Sequence, residues 1–185
     1  MDALHEYKIG FNGLAIGNHH FSFDVRQSFF DCFEQSEIQE CDVHLDLSLE
    51  KDVNMLVFDF AFTGWVMLDC DRCLDQYKQY VDQEQRIIVN FGDEHREQSE
   101  DIVIIPFGDT HFNVSQYIFE YLHLALPIQR AHPLNKEGKT DCNQEMLEKV
   151  RKHGSERSKS GLADHADSST WDALKSLQFD KKKDN

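Results

Sequence analysis

Cys41-Asp42-Val43-His44-Leu45-Asp46-Leu47-Ser48-Leu49 alternates apolar and polar side chains without a break. Side chains on a strand point to opposite faces in turn, so the pattern predicts a strand with one buried and one wet face. That is the signature of an antiparallel sheet, because parallel strands are covered on both sides. Lys51-Asp52-Val53-Asn54 then supplies a turn, and Met55–Phe62 returns as a second strand denser in apolar residues. Thr63-Gly64 is expected to break it, with Trp65–Cys70 continuing or reversing beyond. A meander thus delivers the chain to Cys70-Asp71-Arg72-Cys73.

The flanks extend the same picture. Tyr7–Phe11 reads as a short strand ended by the Asn12-Gly13 turn, and His19–Val25 alternates Phe21, Phe23 and Val25 against Ser22 and Asp24. Phe29, Phe30 and Phe33 sit at helical spacing and predict a short helix over the core. After Cys73, Tyr77–Phe91 is expected to hold a strand ending in IIVNF, Gly92–Asp101 a polar mobile loop, and Ile102–Pro106 a short strand. Asn113 is placed to cap a helix, with Gln116 completing an N-x-x-Q capping box. Val114, Tyr117, Ile118, Tyr121, Leu122 and Ala125 form its buried stripe, and Pro127 stops it. The expected fold is α+β: a β-rich antiparallel meander, as a partly open barrel or sandwich, with one main packed helix at about 114–126. Residues 1–150 are the body. Cys142 is followed by a polar helical piece, NQEMLEKVRK, and 151–185 are expected to be a flexible tail. Residues 153–170 are Gly-, Ser- and Asp-rich, which predicts mobility; 171–179 read as a short amphipathic stretch, of which Trp171–Leu177 is expected to order only on a partner.

Composition narrows the function. The net charge of the 185 residues is −15. Residues 1–150 hold 11 basic against 28 acidic side chains, whereas 151–185 hold 8 against 6. An acidic body repels phosphate backbones, which argues against extensive direct contact with nucleic acid. No basic-then-apolar leader opens the chain and no apolar run approaches a membrane span, so a cytoplasmic protein outside the membrane is expected. The odd number of cysteines, 5, fits thiols kept reduced or bound to metal.

No P-loop, GxGxxG, GxSxG or HExxH is present. The chemistry-bearing feature is the CxxC of Cys70 and Cys73. Two thiols at this spacing chelate one metal ion, close a small redox disulfide, or simply pack as small hydrophobes. A second ligand pair exists in His132 and Cys142, which would complete a Cys₃His set suited to structural zinc. His19, His20 and His44 are rival ligands, although all three fall in strand-like contexts.

Taken in order, these residues resemble a known family. Cys70, Arg72 and Cys73 match a strand-borne C-x-R-C. Glu120, Leu122, Leu124, Leu126 and Pro127 match a helix end, His132 and Cys142 match a following His and Cys, and Thr170–Leu177 resembles a C-terminal motif. The chain resembles the YceD family, a domain of unknown function, and its Bacteroidetes-type members in particular, from about Phe11 to Leu177. The resemblance implies a non-catalytic role in accumulation of large-subunit (23S) ribosomal RNA. The acidic body would then meet ribosomal proteins or assembly factors of the large subunit, where opposite charge steers encounter. The alternative is a thiol–disulfide oxidoreductase or redox sensor using Cys70 and Cys73, which would want a helix N-terminus beside the thiols. A third reading is a metal-stabilised interaction module unconnected with ribosomes.

Overall fold

The computed structural model describes residues 4–134 and 138–160, the last seven by their backbone alone. The expectations for 161–179 lie outside the described residues. The chain divides into two units, 1–142 and 143–185.

In the first unit a 3₁₀ turn, His5–Tyr7, leads into β1 (Lys8–Gly10) and β2 (Gly17–Arg26). A single helical turn, α1 (Gln27–Phe30), precedes the long strands β3 (Cys41–Lys51), β4 (Met55–Asp69) and β5 (Gln76–Gly92). Then come β6 (Arg96–Ser99), β7 (Ile102–Pro106), β8 (His111–Asn113) and α2 (Ser115–Leu124). Six strands form one sheet in the order β2-β3-β4-β5-β7-β6, and β1 pairs with β8 in a separate ribbon. The mixed α+β, β-rich expectation holds. The sheet order is linear with β2 and β6 at its edges, and among the described residues the two do not pair as a closed barrel would require.

Alternation does what physics asks of it. Val43, Leu45, Leu47 and Leu49 of β3 and Leu56, Phe58, Phe60 and Phe62 of β4 are buried on one face. Ile118 and Leu122 of α2 are buried as well, and Tyr121 meets Phe60 edge-on at 5.2 Å between ring centroids. Phe112 stacks on Phe58 at 5.1 Å. Burying one such side chain stabilises the fold by roughly 1.5–3 kcal/mol, so this face dominates the core.

Five expectations need correction. Gly64 does not break β4, which runs unbroken to Asp69. It has φ +153° and lies where a Cβ would sit 2.2 Å from the Asp42 carbonyl oxygen. Glycine is there to let β3 approach, not to end the strand. The sheet is not wholly antiparallel, because β5 and β7 pair in parallel, Ile88 opposite Ile102. Val103 and Ile105 are buried while Ile102 and Ile104 are half-buried, so β7 belongs inside the sheet. The exposed RxQS-type segment β6 therefore takes the edge, and the expected mobile loop 92–101 contains that strand. The N-cap of α2 is Val114 and not Asn113, whose Oδ1 accepts from the Ser115 N–H at 3.0 Å from one residue further out. Gln116 does not close the box, because its amide donates to Glu120 at 2.7 Å along the helix surface. The aromatic helix stops after one turn, and Phe33, just beyond it, stacks on Phe119 at 4.3 Å.

In the second unit α3 spans Gln144–Ser160, past the polar piece read from the sequence. Asn143 Oδ1 accepts from the N–H groups of Glu145 and Met146 at 3.1 and 3.4 Å and so caps it.

Candidate metal centre

The β4–β5 hairpin pairs Met55 with Asn90 at one end and Asp69 with Gln76 at the other. Residues 70–75 are its loop, so the CxxC is a hairpin tip. The Leu74 N–H donates to the Cys70 carbonyl at 2.9 Å, and the Cys70 N–H to the Asp75 carbonyl at 3.0 Å. Leu74 takes φ +65°, a left-handed conformation that turns the chain into β5. This tight loop brings the Cys70 and Cys73 sulfurs together. Arg130 is held against it: the Asp71 N–H donates to the Arg130 carbonyl at 2.7 Å, and the Arg130 N–H to Asp71 Oδ2 at 2.8 Å. Arg130 also pairs with Glu37.

His132 and Cys142 arrive at the tip from that side. The sulfurs of Cys70, Cys73 and Cys142 and a ring nitrogen of His132 all lie within 4.8 Å of one another. The Cys70–Cys142 separation is 3.8 Å, and His132 Nδ1 is 3.6 Å from Cys73 Sγ and 3.5 Å from Cys142 Sγ. A disulfide needs about 2.05 Å, so the sulfurs are neighbours and not bonded. A tetrahedron with Zn–S of about 2.3 Å and Zn–N of about 2.05 Å has S–S edges of about 3.8 Å and S–N edges of about 3.6 Å. The donor set fits a metal of tetrahedral preference in both chemistry and spacing.

The surroundings favour thiolates. The three cysteines are buried. Burial alone would push the Cys70 thiol up, but N–H groups of Arg72, Cys73 and His132 and the His132 ring bring it down to about 6. The Arg72 N–H is 3.4 Å from its sulfur. The Cys142 thiol is pushed the other way, first by burial and then by the neighbouring Cys70, while Thr140 Oγ1, 3.0 Å from Cys142 Sγ, opposes this. One thiolate is thus easily held and further ones call for a cation. Tyr77 packs its ring 5.2 Å from that of His132 and limits its rotation.

The four residues read from the sequence are the four brought together. Of the rival ligands, His19 Nε2 meets the Ala15 carbonyl at 2.8 Å, and His20 and His44 lie on the outer face of the sheet. Sequence reasoning missed Thr140, Asp71 and the hold on Arg130. A polar residue two before a ligand cysteine is the only signal for Thr140, and none marks the Asp71–Arg130 pairing. It also missed a Ser22–His44–Asp24 line, in which His44 Nε2 is 3.2 Å from Ser22 Oγ and Nδ1 is 2.9 Å from Asp24. Those spacings suit a hydrolytic triad, but the three groups are solvent-exposed, and the hollow on that face is lined by other residues. Cys41 is buried, its thiol pushed up to about 12 mainly by desolvation, and it lies outside the cluster.

No helix is long and apolar enough to cross a membrane among the described residues. No curated protein and no solved structure matches the chain significantly. The profile of the family described as large ribosomal RNA subunit accumulation protein YceD matches residues 58–178, from inside β4 past the last candidate ligand. That is more than half of the 185 residues and takes in Cys70, Cys73, His132 and Cys142 together, so the chain belongs to the YceD family.

Proposed function

We propose that this protein, a Bacteroidetes-type member of its family, is a non-catalytic cytoplasmic factor that supports accumulation of large-subunit (23S) ribosomal RNA. It acts through contacts with ribosomal proteins or assembly factors of the large subunit. The family match over 58–178 carries this reading. The Cys₃His cluster supports the non-catalytic part, since four protein ligands fill a tetrahedral metal and leave no position for substrate. In this reading the metal is zinc and its work is structural, tying the 127–142 segment to the hairpin tip. The acidic surface supports protein partners over direct nucleic-acid contact. Affinity purification from cells tests it: large-subunit precursors and their proteins should co-purify, and their absence from the eluate would overturn the role.

The thiol–disulfide reading has one observation in its favour, the lowered Cys70 thiol. Yet the pair is followed by strand β5, not by the helix whose N-terminus activates such thiols. Zinc analysis with an oxidation titration separates the two. A metal-filled site resists disulfide formation until chelator is added, whereas a redox pair is metal-free and oxidises directly.

A further inference from the structure

One face of the six-stranded sheet is taken up by α2 and the aromatic core. The other carries the alternate residues of β2–β5 and lies open. Along β5 the outward positions are Lys78, Tyr80, Asp82, Glu84 and Arg86, all exposed. We propose that this open face is a docking surface for an extended, arginine- and lysine-rich polypeptide segment. The inference rests on the ribosome-assembly reading for the kind of partner, and adds to it the place and chemistry of contact.

Three observations support it. The first is charge. A hollow of about 940 Å³ on this face is rimmed by Asp46, Asp59, Glu84 and Asp101. Arg86 answers only Asp59, at 2.5 Å, and Asp82 and Glu84 have no ion-pair partner among the described residues. Carboxylates left in this way attract basic side chains and repel phosphate. The second is the aromatic pair Trp65 and Tyr80, directly opposed across β4 and β5. Lys78 Nζ already sits 3.8 Å from the centre of the Trp65 ring, so this face holds a cation on an aromatic. Tyr80 is 74% exposed and its ring is open to a second cation from outside. The third is spacing. Outward side chains along β5 repeat every ~6.7 Å, as do alternate side chains of an extended peptide laid along it. Arginine or lysine at alternate positions would meet Tyr80, Asp82, Glu84 and the hollow in turn. Their aliphatic stems would lie over Ala61 and Ile88, which line it.

The test uses the full chain and a fluorescent, unstructured peptide alternating arginine and threonine, followed by anisotropy at moderate salt. The face variant is Tyr80→Ala/Asp82→Asn/Glu84→Gln. The charge-matched control is Asp93→Asn/Glu94→Gln, on the exposed turn between β5 and β6. Removing one ring contact and two exposed charges should weaken binding roughly tenfold, and the control should change it less than about twofold. Amide shifts in the wild-type protein provide a readout that no variant can spoil, and should concentrate in 57–61 and 78–86. Equal losses in the two variants, shifts spread over the whole surface, or no binding of the peptide would overturn the proposal. So would a single-stranded RNA that binds the same strands. Failure of large-subunit proteins to co-purify, with the peptide still mapped to this face, would instead count against the ribosomal reading alone.

Discussion

Replacing Gly64 with alanine should destabilise the protein strongly, although the added group is one methyl. In β4 Gly64 faces Val43 of β3, and its added Cβ would lie 2.2 Å from the Asp42 carbonyl oxygen and 2.7 Å from the Val43 Cα. Both obstacles are backbone, so no side-chain rotation relieves them. Opening the gap to an ordinary contact moves β3 by about 1 Å, enough to lose one or two ladder hydrogen bonds at about 1 kcal/mol each. Alanine at φ +153° adds about 1–3 kcal/mol of backbone strain. The total is about 2–5 kcal/mol. At 2–4 °C per kcal/mol for a chain of this size, the melting temperature should fall by on the order of 10 °C. Far-UV circular dichroism on heating measures it, with urea unfolding as a check that the slope, and hence the unfolded state, is unchanged. A melting temperature within about 2 °C of the wild type would show that β3 does not approach β4 here as described, and the account of an unbroken β4 would fall.

Three further outcomes follow from the hairpin tip. Protein purified under reducing conditions should carry close to one zinc per chain, Cys142→Ser should lose it, and Thr140→Ala should weaken it roughly tenfold by removing the hydroxyl at Cys142 Sγ. Competition with a chromophoric chelator reads all three, and less than about a tenth of an equivalent in the wild type refutes the site. In metal-free reduced protein the Cys70 thiol, lowered from 9.0 to about 6, should make stability pH-dependent. Its contribution is complete above the unfolded value and is lost as pH falls from 9 towards 6, partly offset by the opposite shift at Cys142. Urea midpoints that are flat over that window contradict it. Leu74→Gly should be neutral or mildly stabilising, within about 1 kcal/mol, because the left-handed φ is relieved and the lost side chain is 69% exposed. A clear loss of melting temperature would show that the side chain has a contact of its own.

The parts of this fold that were legible in the sequence are those where one physical term rules. Cys41–Leu49 alternates because one face is oil and one is water, and no other arrangement satisfies it. The α2 stripe is legible for the same reason. What was illegible depends on two chain segments at once. Gly64 reads as a breaker on its own strand, and only the approach of Asp42 shows why it must be glycine. The parallel β5–β7 pairing turns on a comparison, apolar IVIIP against polar REQS for an inside position, and sequential adjacency hides it. The Cys₃His cluster was legible because ligand chemistry is so restrictive. Three buried thiols and one imidazole within 4.8 Å are worth more as evidence than the CxxC alone. Thr140 and the Asp71–Arg130 hydrogen bonds carry no such mark, because a hydroxyl and two backbone amides occur everywhere.

The β4–β5 hairpin links the two halves of the functional reading. Its tip is the CxxC loop, and its shaft carries Trp65, Tyr80, Asp82 and Glu84 on the open face. Beyond Val66 the tip has no flanking strand, since β3 pairs with β4 only up to that residue and β7 with β5 only from Ile88, so its stability rests on local contacts. These come from Asp71 and Arg130, from the turn at Leu74, and in the proposed state from zinc. Trp65 and Tyr80 lie only a few pairs from that end, opposite one another, with Asp69 and Gln76 as the last pair before the loop. Loosening the tip should therefore reach the aromatic pair before it reaches the hollow around Asp59 and Arg86. A structural metal with no role in chemistry would then still matter to docking, by holding the register in which a cation finds Tyr80 and a carboxylate side by side.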